Sequence, residues 1–259
     1  MLRDLNGLIG YKIHATDGEL GTADEFYFDD TTWEIRYLVV RMGSWLAGRS
    51  VLISTAALKR PGWESKSFPV ALTREQVRTS PDIDTEKTVT RRHELELHRH
   101  YAWPLYWGDS FYAGGMSGSP LFGGPAQGEK TERPAAEEES HLQGTRDVTG
   151  YKLHAADGTI GHVKNYIIND ETWEIRYLVA DTGIWLPGRN VLVSPHWIES
   201  VNWETSEIYV DLTREAIKES PAYDPEQPVS DDYESGLYDH YGRPKLYDRA
   251  KRAAAGGKR

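Results

Sequence analysis

One feature constrains this chain more than any other: it contains itself twice. Tyr11-Lys12-Ile13-His14-Ala15-Thr16-Asp17-Gly18 returns as Tyr151-Lys152-Leu153-His154-Ala155-Ala156-Asp157-Gly158. The offset between the copies holds without insertion through Thr32–Val39, which is identical to Thr172–Val179. It persists at Trp45-Leu46 and Trp185-Leu186, at Trp63-Glu64 and Trp203-Glu204, and at Leu72-Thr73-Arg74-Glu75 and Leu212-Thr213-Arg214-Glu215. It is still present at His100-Tyr101 and His240-Tyr241. A repeat of roughly 100 residues is long enough to bury its own core, which separates it from short-period solenoids.

Within one copy the pattern is that of short strands. Ile9–Ala15 and Leu20–Phe28 flank Asp17-Gly18, a dipeptide suited to a tight turn because glycine tolerates positive φ. In Trp33–Arg41, Ile35, Tyr37 and Val39 alternate with Glu34, Arg36 and Leu38, the period-2 signature of a strand. Val51–Ser54 and Ser67–Leu72 add two more. Thr73-Arg74-Glu75-Gln76 has the form of a capping box opening a short helix that stops before Pro81. His93–Tyr101 suggests a second helix. The expected class is mainly β: two tandem small antiparallel barrels, each with one or two short C-terminal helices, related by a pseudo-twofold axis. A closed barrel would remove sheet edges that a unit this small exposes.

Composition divides the chain at residues 1–103, 104–145, 146–244 and 245–259. The second segment is rich in Gly, Ser, Pro and acids and reads as a linker. The third carries a net charge of −10 and the last, a basic tail, +5. An acidic second copy argues against direct nucleic-acid contact, because phosphate neutralisation supplies most of such affinity. The absence of cysteine excludes disulfides and thiolate ligands. No apolar run is long enough to span a bilayer, and the N-terminus shows no apolar signal core, so a cytoplasmic location is expected.

The run Asp17-Gly18-x-x-Gly21, then Trp33-Glu34-Ile35-Arg36-Tyr37-Leu38-Val39-Val40, then Val51-Leu52-Ile53-Ser54, resembles the PRC-barrel domain family. That family includes the cytoplasmic barrel of the photosynthetic reaction-centre H subunit and the C-terminal domain of a ribosome maturation factor. The resemblance covers roughly residues 5–85 and again 145–225. It implies a domain used for protein contact or scaffolding, with no cofactor and no catalytic residues.

Candidate residues follow from chemistry. Trp45, Leu46 and Arg49, with Trp185, Leu186 and Arg189, lie in Gly-containing loops, and Trp and Arg are enriched in interface hot spots. They are the candidates for a contact surface between the copies or with a partner. Glu34-x-Arg36 and Glu174-x-Arg176 share a sheet face and read as charge ladders. His93, His98 and His100, with Glu94 and Glu96, are the available metal-ligand types, but the spacing is poor for one helical face and copy two has Tyr233, Tyr238 and His240 there. His100 and His240 read better as docking residues for a C-terminal segment. No nucleophile elbow, phosphate loop or zincin motif occurs.

The expected function is a non-enzymatic protein-binding or scaffold module with an unidentified protein partner, and a homo-oligomer is compatible with it. The alternatives are small-ligand or metal binding in the cleft between the copies, and ribosome association through a basic ribosomal protein.

Overall fold

The structure is a computed structural model in which residues 1–46, 48–81, 89–107, 141–183 and 187–245 are described. After β1 (Leu2–Asp4), copy one contributes β2 (Lys12–Ala15), β3 (Gly18–Asp29), β4 (Ile35–Met42), β5 (Ser50–Ser54) and β6 (Ser67–Pro69), then α1 (Arg74–Arg78) and α2 (Arg91–Tyr101). Next come β7 (Leu142–Gly144), α3 (Thr145–Val148), β8 (Lys152–Ala155), β9 (Gly158–Asn169), β10 (Ile175–Asp181), β11 (Asn190–Val193), β12 (Ile198–Asn202) and β13 (Glu207–Val210). Helices α4 (Arg214–Glu219) and α5 (Asp231–His240) follow.

Two sheets form. One runs β5-β4-β3-β2-β6, with β7 added to β3, and the other runs β11-β10-β9-β8-β13-β12, with β1 added to β9. Both are mixed: β2 pairs with β6, and β8 with β13, in parallel, while the other pairings are antiparallel. A purely antiparallel unit is therefore not what forms, and among the described residues neither strand order closes into a ring. Parallel pairing escapes sequence reading because β6 and β13 return to β2 and β8 only after all the intervening strands of their copies.

Local chemistry explains the elements. Gly21 and Gly161 sit where strands cross at close range: a Cβ there would lie 2.0 and 1.9 Å from the carbonyl oxygens of Arg41 and Asp181. The β2–β3 loop consists of Thr16 and Asp17, one residue earlier than the Asp-Gly reading, since Ala15 pairs with Gly18. Asp17 instead accepts the amide of Arg74 (2.8 Å) at the start of α1, as Asp157 does for Arg214 (2.7 Å). Both hydrogen bonds of the Thr73–Gln76 capping box are made.

The copies exchange strands. β1 precedes copy one yet pairs with β9 of copy two, Leu2 opposite Asn169. β7 precedes copy two and pairs with β3 of copy one, Leu142 opposite Asp29. Residues 142–144, assigned to the linker on composition, are thus a sheet strand. Leu142 is buried and Phe28, on the strand it joins, is wholly so. The exchange is reciprocal down to single hydrogen bonds. Asp30 donates its amide to the His141 carbonyl (2.7 Å) and Asp170 to that of Met1 (3.0 Å). Burial extends through both copies and across this junction, where Trp173 stacks on Phe26 and Phe68 of copy one, at 6.2 and 5.7 Å between centroids. Among the described residues no helix is long and apolar enough to cross a membrane.

Candidate functional site

The turn between the two longest strands of each copy builds the junction. Asp29 accepts the amides of Thr31 and Thr32 (3.0 and 2.9 Å), and Asn169 those of Glu171 and Thr172 (2.9 and 3.3 Å). Asx turns of this kind throw the next residue into unusual backbone. Trp33 and Trp173 accordingly have φ of +57° and +62°. Non-glycine residues rarely adopt that region, and a bulky side chain stays there only when packing over-determines it. Both rings are buried. Each Trp carbonyl then accepts an amide from the other copy: Ile35 donates to Trp173 and Ile175 to Trp33, both at 2.8 Å.

Beside this junction lies a cleft of about 490 Å³. The Asp30–Trp33 turn and His141 form one wall, Glu174 and Ile175 the floor, and Pro195, His196, β12 and Trp203 the other wall. Its charged groups are paired. Asp30 faces His141 Nδ1 at 3.2 Å. Glu174 faces His196 Nε2 at 3.5 Å and Arg176 at 3.4 Å, and these partners, His196 foremost, hold its carboxyl below the usual carboxylate range against the opposing effect of burial. Arg176 is shared with the buried Glu234 at 3.3 Å.

The twin groove, at the equivalent place in the repeat, lies between the Asp170–Trp173 turn and Leu58–Arg60 and encloses about 350 Å³. There the chain supplies its own cation, Arg60, with Arg3 beside the groove. Arg60 bridges to Glu171 at 2.6 Å, and Arg3 lies 4.5 Å over the ring of Trp63 and 3.5 Å from Asp170. In the open cleft Ser200, Thr31 and Gln143 occupy the positions of Arg60, Glu171 and Arg3.

A second polar constellation is buried in each copy. Glu94 on α2 is fully buried and accepts from the Tyr37 hydroxyl (3.0 Å), the Tyr106 hydroxyl and Arg91 (3.0 Å). Tyr37 also meets His98 Nε2 at 2.8 Å. Burial, then the nearby carboxylate, pushes the Tyr37 and Tyr106 hydroxyls far above the ordinary tyrosine range. Burial holds His98 below the usual histidine range. In copy two Glu234 accepts from the Tyr177 hydroxyl at 2.7 Å, and Tyr238 stands in the place of His98. These groups tie the C-terminal helix to the sheet. The sequence signal for them was Glu94, Leu97, His100 and Tyr101 recurring at Glu234, Leu237, His240 and Tyr241 in otherwise unlike helices.

The described loop candidates bond within their own copy. Trp45 donates to the Leu20 carbonyl (2.8 Å) beneath the Arg74 guanidinium, and Leu46 packs half-buried against the same core. Arg49 donates to the Arg78 (2.9 Å) and Ser80 carbonyls, and Arg189 to those of Lys218 (2.7 Å) and Ser220. These arginines satisfy carbonyls left at the ends of α1 and α4. The hydrogen bonds just named stay within one copy, whereas the Trp33/Trp173 turns carry backbone bonds between the copies. Trp185 and Leu186 lie outside the described residues.

The three histidines separate. His93 bonds Thr90 (3.1 Å), His98 faces Tyr37, and His100 bonds the Gln76 carbonyl (2.8 Å), as His240 does that of Ala216 (2.7 Å). Among the described residues no three His, Asp or Glu side chains gather in a way that would hold a metal ion.

No protein-family model and no curated protein sequence matches this chain.

Proposed function

We propose that the chain is a non-enzymatic protein-binding module, two PRC-barrel-like units joined into one body whose contact site is the cleft beside Glu174. One observation carries this reading: of two equivalent grooves, the chain spans one with its own Arg60–Glu171 ion pair and has Ser200 and Thr31 at those positions in the other. The buried titratable groups support it, since Glu94, Glu234 and their tyrosines are engaged in holding helices to sheets. The motif resemblance described above agrees, as does the acidity of residues 146–244, which suits a basic partner.

Affinity capture from an extract of the source organism tests the reading, with the double variant T31E/S200R as the discriminating arm. That variant imports into the open cleft the Arg–Glu pair its twin already holds. A partner retained by the parent chain and lost by T31E/S200R is the expected result. Capture by both, or by neither, removes the cleft as a contact site. A small ligand in the same cleft is the competing reading, and a thermal-shift scan across cationic metabolites separates the two.

A further inference from the structure

The two copies differ most where the cleft meets the sheet. β12 is the last strand of its sheet, so among the described residues no strand pairs with its outer side. Successive residues of a strand point to opposite faces. Ser200 and Val201 are successive, and both line the cleft. The cleft therefore runs along the edge of β12, where backbone N–H and C=O groups emerge, and not over one of its faces.

The twin segment of copy one is blunted. Lys59, Arg60 and Pro61 stand where β12 has Glu199, Ser200 and Val201. Pro61 has no N–H to offer, and only isolated bridges, Leu58 with Val70 and Gly62 with Ser67, remain there in place of a strand. Arg60 further spans that groove to Glu171. Proline and positive charge are the usual devices that keep an edge from pairing with another chain. One copy carries both and the other carries neither.

Resting on the reading of the chain as a protein-binding module, we propose that β12 is a docking strand. An extended, basic segment of a partner protein adds to its free edge and places cationic side chains in the cleft. β12 spans five residues, irregular between Ile198 and Ser200 and regular over Ser200–Asn202, and at ~3.3 Å each they offer room for a segment of similar length. The charge at the site fits: Glu199 and Glu204 are exposed beside the strand, and Asp30 and Glu174 face it, while Arg176, His141 and His196 lie against those two acids. Trp203, half-buried at the mouth, has Gln143 at the position from which Arg3 covers Trp63. An incoming guanidinium takes that stacking role.

The test uses the full chain and fluorescein-labelled decapeptides. One alternates arginine with threonine, one alternates glutamate with threonine, and one is the arginine peptide N-methylated at alternate residues. The arginine peptide is expected to bind saturably, at least about tenfold more tightly than the glutamate peptide, and N-methylation along the pairing edge to cost about tenfold or more. Hydrogen exchange at the amides of 198–202 slows when it binds. V201P, which copies Pro61, and T31E/S200R each lower affinity by about tenfold or more, with thermal midpoints checking that both remain folded. Equal binding of the N-methylated peptide, unchanged exchange in β12, unchanged affinity in both variants, or no binding of the arginine peptide up to millimolar concentration overturns strand addition. Cleft-dependent capture of a natural partner that survives such a failure leaves the module reading standing. Loss of both ends it.

Discussion

Glu34 and Glu174, one from each copy, face each other in a single antiparallel bridge. They occupy the same position of the repeat, so the bridge marks the point where the copies meet themselves. Two like charges directly opposite are unfavourable in a sheet. Each is drawn off by its own arginine, Arg36 at 2.6 Å and Arg176 at 3.4 Å, while the backbone bonds from Ile35 and Ile175 hold the register.

Trp173 reaches from copy two into the core of copy one, so its loss should be felt by both. W173A is expected to destabilise the chain by about 3–5 kcal/mol, the usual range for truncating a buried aromatic. Urea unfolding followed by far-UV circular dichroism measures it. The copies should still melt in one transition, because β1 and β7 tie each sheet to the other copy. Two resolved transitions in the parent chain would contradict the exchange.

Glu94 is the sole carboxylate among Tyr37, Tyr106 and Arg91 in the cluster described above. E94A leaves a half-buried guanidinium and two hydroxyls without it, and a loss of about 3 kcal/mol is expected. Detachment of α2 should accompany it, read as faster hydrogen exchange over Arg91–Tyr101.

Burial lowers the folded-state proton affinity of His98 below that of the unfolded chain. Its contribution to stability is therefore complete above the ordinary histidine range and is lost as pH falls through the folded value. Copy two avoids this with Tyr238. Denaturant midpoints measured downward from neutral pH should fall less steeply in H98Y than in the parent. Parallel curves would show that His98 does not titrate in its buried site.

Glu25 has the opposite sense. Burial raises its carboxyl above the ordinary range, against the opposing Arg146 amide (3.0 Å) and side chain. The stability associated with it is present below the unfolded value and lost as pH rises through the folded one. E25Q keeps an acceptor for the Arg146 amide without the charge. It should be more stable than the parent at neutral pH, with the gain vanishing in acid. A gain that is independent of pH would refute the assignment.

The long strands, the capping box and the docking histidines His100 and His240 were legible because each is written in consecutive residues. Alternation, turn dipeptides and caps are local physics. β1 and β7 were not legible. Strands so short carry no periodicity, and their partners lie in the opposite copy, Asn169 for Leu2 and Asp29 for Leu142. Composition placed β7 in a linker for that reason. Trp45 and Arg49 are residue types common at interfaces, and the structure shows what their types alone do not: each also bonds a strand carbonyl or a helix end of its own copy.

The sequence alone determined the duplication, the mainly β class and the position of most elements, since these follow from short-range backbone preferences repeated at a constant offset. The open cleft was present in it only as unexplained differences: Arg60 against Ser200, Glu171 against Thr31, Arg3 against Gln143. Tertiary structure decided what they mean. The exchange of β1 and β7 and the paired Trp33/Trp173 turns bring residue 60 to residue 171 and residue 200 to residue 31, and a contact between chain segments so distant leaves no trace in either segment by itself.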